Sequence, residues 1–315
     1  MKVLVAPLNW GLGHAARCIP LVIDRLRSGD EVILAGDGEA LLLLKKHFPN
    51  LCTLPLAALS VRYSGGNSQV GAMLRLLPRL VRHAVRDHRR LGQYIRQESF
   101  DLIIADNRFG CFAAGTRTVY ITHQLHIILP APWRFIEPLV QWLHWRVARR
   151  FDEVWVPDYE GGNNLSGALS HNIAPYWQTK LHYIGPLSRF RDMANVEPSR
   201  QYTTVAVLSG PEPQRSSFEQ QTIGRLAETA GSALVVRGTI GAPPTTIRRR
   251  NITLVPYLGD EHLASVLLGA KKVIARSGYS SIMDFAALGI LHKVELIPTP
   301  GQPEQQYLST LIRKP

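Results

Sequence analysis

Lys272-Val273-Ile274-Ala275-Arg276-Ser277-Gly278-Tyr279-Ser280-Ser281-Ile282-Met283-Asp284 carries a complete strand–turn–helix signal. Residues 272–275 form a short apolar run of the kind that a parallel sheet buries on both faces. Ser277 and Gly278 make a small turn, Ser280 and Ser281 open a helix, and Asp284 lies in its first turns. A second strand follows, and then the polar loop Pro298-Thr299-Pro300-Gly301-Gln302-Pro303-Glu304-Gln305-Gln306. One ligand is thus offered two helix N-termini, a carboxylate and several amides. Free N–H groups at a helix start suit a diphosphate. An acid placed like Asp284 suits the hydroxyls of a ribose. The plainer alternative is an acid that merely favours a helix N-terminus.

The same unit recurs along the chain. Val3–Leu8 reads as a strand, Gly11-Leu12-Gly13-His14 as a turn and Ala15–Arg27 as a helix. Glu31–Ala35 and the helix Glu39–His47 come next, and then the strands Asp101–Ala105, Val119–Thr122 and Glu153–Val156. Short β-branched runs separated by helical stretches imply a parallel sheet with helices on both faces, an α/β fold. Tyr183–Leu187 closes this half, and Thr204–Leu208 starts the pattern again. A helix at Phe218–Ala230 and strands at Ala233–Val236 and Ile252–Val255 continue it. The expected organisation is a first domain at 1–187, a polar linker at 188–200 and a second domain at 201–315. A chain of 315 residues with 45% hydrophobic content can fill two cores.

Composition removes several classes. Three widely spaced cysteines (Cys18, Cys52, Cys111) make no disulfide framework or zinc motif, and point to a reducing compartment. The N-terminal apolar run is too short for a signal peptide, and no stretch is long enough to span a bilayer. The net charge of +12 calls for an anionic partner or serves solubility. Much of it sits in two stretches. Gly71–Gln97 sets Leu74, Leu77, Val81 and Val85 at helical spacing among Arg75, Arg79, Arg82, Arg86, Arg89 and Arg90, with Pro78 expected to kink or delay the helix. Pro130–Arg150 mixes Trp133, Phe135, Ile136, Trp142 and Trp145 with Arg134, Arg146, Arg149 and Arg150. Such segments fit an anionic membrane surface, or are ordinary helices with solvated arginines. No nucleic-acid-binding module accompanies the charge.

Candidate site residues cluster where strands end, the edge at which open α/β sheets gather ligands. Gly11 and Gly13 can present backbone N–H groups. His14, at the helix opening, can serve as a general base, or only pack the turn. Asp106 follows its strand and can orient an imidazole, or cap a helix. Asn107 and Arg108 are placed for similar work, and His123 and Gln124 for acceptor contacts. In the second half, Ser209, Gly210 and Arg215 suit phosphate contacts, or form a proline-stiffened turn. Val255-Pro256-Tyr257-Leu258 offers backbone groups to a base edge.

Taken together, Gly11-Leu12-Gly13-His14, Ser277–Asp284 and Pro300–Gln306 resemble glycosyltransferase family 28. The nearest likenesses are the peptidoglycan lipid-intermediate N-acetylglucosaminyltransferase and the diacylglycerol galactosyltransferases. The resemblance implies a GT-B fold, with two Rossmann-like doubly wound domains facing a cleft. It implies a UDP-sugar donor on the second domain and a lipid-linked or glycan acceptor on the first. Asp284 matches the ribose-binding acid, often Glu in the family. Ser277, Gly278 and Ser280 match the diphosphate turn, Gln305 and Gln306 match the sugar-contacting amides, with Gln302 a further donor contact, and His14 matches the first-loop histidine. No metal and no other cofactor is implied. Three departures stand out: a first loop with fewer glycines, a slightly longer link at Gly289–Ile297, and a second domain shortened at Pro315.

The expectation is an inverting, metal-independent hexosyltransferase with His14 as base and Asp106 behind it. It would act in the cytoplasm on the inner face of the membrane, in glycolipid or cell-envelope chemistry. A UDP-sugar epimerase of the same fold, or a noncatalytic nucleotide-sugar or membrane-binding subunit, is the alternative.

Overall fold

The computed structural model describes residues 1–58, 69–193 and 195–313, the side chains of residues 69–77 excepted. Leu74, Arg75 and Leu77 of the expected amphipathic pattern therefore lie outside the described residues. The first half runs β1 (Lys2–Pro7), α1 (Leu12–Arg27), β2 (Glu31–Gly36), α2 (Gly38–His47), β3 (Thr53–Pro55) and α3 (Gln69–Gln97). It continues with β4 (Leu102–Asp106), β5 (Arg117–Ile121), α4 (Glu137–Ala148), β6 (Glu153–Val156) and β7 (Leu181–Tyr183). The second half holds β8 (Thr204–Val207), α5 (Gln214–Ala227), β9 (Ala233–Val236), β10 (Ile247–Arg249), β11 (Ile252–Val255) and α6 (Asp260–Gly269). It ends with β12 (Lys272–Arg276), α7 (Tyr279–Ala287), β13 (Val294–Ile297) and α8 (Pro303–Ile312).

Each half is built on its own sheet. The first has strand order β3-β2-β1-β4-β5-β6-β7, and the second β10-β11-β9-β8-β12-β13. The paired strands are parallel except β10 against β11. Strand order reverses direction between β1 and β4, and again between β8 and β12. Crevices open at such points, because consecutive connections leave for opposite faces. The loops after β1, β4, β8 and β12 border these crevices.

The cores of β1, β4 and β12 are buried, which is why they read as unbroken apolar runs: Val3 to Ala6, Leu102 to Ala105 and Val273 to Ala275 are all nearly inaccessible. The short edge strands β3, β7 and β10 lack that signature. Pro78 lies inside α3, which continues across it. The loss of one backbone donor is local, whereas Leu91 and Asp87 anchor the helix at zero exposure. Asp87 receives Arg108 Nε at 2.7 Å and the Ala57 amide at 2.9 Å. Arg108 also donates to the carbonyls of Pro7 and Ala57, at 3.0 and 2.7 Å. It is thus a buried brace between α3 and the end of β1, directed away from the chemistry expected of it.

Residues 188–200, read as a polar tether, are largely pinned. Phe190 is 1% exposed and Ser188 is equally buried. Arg189 bridges Asp260 and Asp284, Arg191 pairs with Asp24 of α1, and the Ser199 amide bonds the Ser265 carbonyl. Arginines spaced along the segment staple it to both halves, a role that a polar sequence without periodicity does not announce.

Candidate active site

The two switch points face one cavity of about 1140 Å³. The N-terminal ends of α1, α5, α7 and α8 all line it. Glycine makes the close approach of α1 and α7 possible: a Cβ on Gly13 would lie 2.9 Å from Ser280 Oγ. Gly11, which caps α1, has φ of 83°, the left-handed region that side chains disfavour.

His14 lies on the wall of the cavity, and its Nδ1 is 3.0 Å from Asp106 Oδ1. Asp106 is the last residue of β4, not the first residue after it, and has no solvent exposure. Burial pushes its carboxyl pKa up, but the guanidinium of Arg17 and His14 more than offset this and hold it well below the usual carboxylate range. Arg17 itself is 1% exposed and bonds Asp106 through Nε at 2.5 Å and through Nη2.

A second imidazole completes the group. His123 Nδ1 is 3.1 Å from Arg17 Nη1, and its Nε2 is 2.7 Å from Glu304 Oε1 at the start of α8. Its ring stacks on Tyr279 of α7, centroids 4.3 Å apart. Burial pushes the His123 pKa down, against the pull of Glu304. Burial pushes Glu304 up, but the hydrogen bond from His123 wins and keeps it below its ordinary value. The contact is therefore a neutral N–H donating to a carboxylate, and it joins the two halves across the cavity.

Of the other residues singled out from sequence, Gly11, Gly13, Asn107, Gln124, Ser209, Gly210, Gly278, Ser280, Asp284, Gln302 and Gln305 line this cavity. Others do not reach it. Ser277 turns its hydroxyl to the Gln305 carbonyl at 2.8 Å. Arg215 binds Glu212 and the Gly238 carbonyl. Gln306 is absent from the cavity wall, while its carbonyl accepts the Ser309 hydroxyl. The Gln305 amide is engaged locally, accepting from the Thr299 N–H at 2.9 Å and donating to Gln302 at 2.6 Å. Asp284, 8% exposed, accepts from Ser188 Oγ at 2.7 Å and lies 3.3 Å from Arg189 Nε. Burial pushes its pKa up although Arg189 opposes this. The sequence does not single out Arg17, Tyr279 or Glu304 as site residues. The only local signal for Arg17 is its i+3 spacing from His14.

On the first half, the cavity turns apolar. Leu80, Val81, Ala84 and Val85 of α3 face Val140, Leu143 and Val147 of α4 within it. Val81, Val85 and Leu143 are also 45–56% exposed, so the chamber reaches the surface there. Asn107, with φ of 52°, accepts the Tyr120 hydroxyl at 2.8 Å, and His144 Nε2 is 3.2 Å from that hydroxyl.

Burial pushes the His144 pKa down from 6.5 to about 4. An unfolded chain binds a proton below 6.5 that the folded one refuses. This contribution to stability is present above that pH and is lost as the pH falls toward 4. Between pH 7.5 and 4.5 the loss should be roughly 2 to 3 kcal/mol. His144→Phe should show a correspondingly smaller drop in urea-unfolding free energy, and an equal drop in both proteins would refute the assignment.

No family model matches the chain. It is 21% identical, over its full length and 84% of the relative, to a protein of Methanosarcina acetivorans named "Uncharacterized glycosyltransferase". Among solved structures it resembles the spinosyn rhamnosyltransferase SpnG complexed with thymidine diphosphate, with a TM-score of 0.62 and 15% identity over 98% of this chain and 84% of that one. Arabidopsis thaliana UGT89C1 complexed with UDP-L-rhamnose gives 0.60 and 14% over 99% and 82%. The chain has a GT-B fold and is similar in sequence and structure to proteins named as glycosyltransferases.

Proposed function

We propose that the chain transfers a sugar from UDP to a hydroxyl of an amphiphilic acceptor, with inversion at the anomeric carbon, in the manner of glycosyltransferase family 28. The observation that carries this reading is the convergence of helix N-termini from both halves on one cavity, opposite an imidazole backed by a carboxylate. The acceptor oxygen attacks the anomeric carbon, and the bond from that carbon to the diphosphate breaks with its electron pair. His14 Nε2 takes the acceptor proton, while Asp106 holds Nδ1. N–H groups around Ser209, Gly210, Gly278 and Ser280 receive the departing charge. Asp284 takes the ribose, and Gln302 the sugar, on residues 201–315. The acceptor enters from residues 1–187 through the chamber between α3 and α4.

The surroundings of that chamber support a membrane-derived acceptor. Phe135 is 77% exposed and Leu139 and Trp142 about half exposed, beside exposed Arg134, Arg146, Arg149 and Arg150. Among the described residues no helix is long and apolar enough to cross a membrane, so the proposed contact is peripheral. Flotation with phosphatidylglycerol vesicles should be clear at low salt and fall as salt rises. Phe135→Glu should reduce it, and flotation indifferent to both would refute the contact.

The function is tested by titrating UDP calorimetrically and then incubating UDP-sugars with and without lipid acceptors. Binding followed by acceptor-dependent release of UDP is expected. A new UDP-sugar formed from donor alone would identify an epimerase, and binding without turnover a noncatalytic subunit. Absence of UDP binding would end the proposal.

A further inference from the structure

We propose that Arg17 positions the transfer machinery: one guanidinium orients Asp106 against His14 and restricts His123 to the tautomer protonated at Nε2, the form that bonds Glu304 across the cleft. The catalytic consequence rests on the reading of His14 and Asp106 as the base pair, whereas the proton pattern itself does not.

A guanidinium carries N–H donors in a rigid planar fork, accepts no hydrogen bond and keeps its charge. Arg17 Nη1 lies 3.1 Å from His123 Nδ1 while Nε2 of the same ring is turned to the Glu304 carboxylate, so Nδ1 is the acceptor and its lone pair faces Arg17. The single proton of a neutral imidazole is then on Nε2, directed at Glu304 Oε1, 2.7 Å away. Stacking on Tyr279 holds the ring in that orientation. His123 belongs to the first half and Glu304 to the second, so the tautomer set by Arg17 decides whether this link can form.

The other edge of the same fork grips Asp106. Nε reaches Oδ2 at 2.5 Å and Nη2 reaches Oδ1. With both oxygens held, Oδ1 is presented to His14 Nδ1 at 3.0 Å. Nη2 is also 3.0 Å from that Nδ1, and the carboxylate and the guanidinium compete for it. Transfer requires the Asp106 contact, with the proton on Nδ1 and a lone pair on Nε2 for the acceptor. Arg17 touches no reacting atom in this scheme. It acts through Asp106, His14 and His123, and one rigid group thereby ties the base to the bond that closes the cleft.

The test reads imidazole tautomers in the full-length protein, using ¹⁵N-histidine labelling and long-range proton–nitrogen correlation, with His123 assigned by its loss in His123→Gln. In the unsubstituted protein, His123 should show an unprotonated Nδ1 and a protonated Nε2. Glu304→Ala, which leaves Arg17 in place, should keep that pattern. Arg17→Met should move His123 toward a mixture of tautomers, and Arg17→Lys, which keeps the charge without the fork, should do the same. A proton on Nδ1 of His123 in the unsubstituted protein would overturn the proposal. So would a mixture appearing on Glu304→Ala, or an unchanged pattern in either folded Arg17 variant. If removing the buried cation prevents folding, the unsubstituted and Glu304→Ala spectra still decide. No nucleotide is added, so failure here is distinct from failure to bind UDP.

Discussion

His14→Ala should slow sugar transfer by about 10²- to 10⁴-fold, the usual contribution of a general base, and leave UDP affinity unchanged. The split follows from the geometry. His14 projects from the first turn of α1 and is backed by Asp106 of the same half. The proposed nucleotide contacts are on the loops after β8 and β12. Removing the imidazole takes away the proton acceptor and leaves those loops intact. Asp106→Asn should also slow transfer, because an amide cannot accept the full charge of the imidazolium that forms. It carries a folding penalty as well, since Arg17 would lose its buried counter-charge. His14→Ala is the cleaner test for that reason. Single-turnover measurement at saturating acceptor reads the chemical step directly, and full turnover in the variant would remove His14 as the base.

The second large effect is expected at Asp284. If its carboxylate accepts ribose hydroxyls, Asp284→Ala should weaken UDP binding roughly ten- to a hundredfold, the worth of one charge-assisted hydrogen bond. The structure adds a competing role, because Ser188 and Arg189 already use this carboxylate to fasten residues 188–200 to α7. The two roles predict different patterns. A ribose contact lowers affinity in Asp284→Ala and Asp284→Asn alike, with unfolding temperature moving far less in the asparagine variant. A fastening role alone lowers unfolding temperature and leaves the UDP dissociation constant of the folded protein where it was. Calorimetric titration beside thermal unfolding separates them, and unchanged affinity in a folded Asp284→Ala would withdraw the ribose assignment.

The site was partly legible in the sequence because part of it is local. Strand ends, glycine turns and helix starts announce themselves within about ten residues. His14, Ser209, Gly210, Gly278, Ser280 and Asp284 all sit on such signals. Arg215 and Ser277 sit on them too, yet they turn to Glu212 and to the Gln305 carbonyl. Direction within a turn depends on neighbours that the turn itself does not specify. The resemblance makes Gln305 a sugar-contacting amide, whereas Thr299 and Gln302 occupy its side chain.

What the sequence determined alone is the alternation of buried strands and helices, the restart after residue 200 and the βα turns that line the cavity. Each arises from short-range forces: burial of β-branched runs, and the free N–H groups of a helix start. Only the tertiary structure decided that His123 meets Glu304 at a separation of 181 residues, that Arg17 lies between two imidazoles, and that Arg189 bridges Asp260 and Asp284. Those contacts come from the way two sheets present their loop edges to each other. No local propensity encodes that placement, because charged side chains choose partners by proximity after the cores have packed.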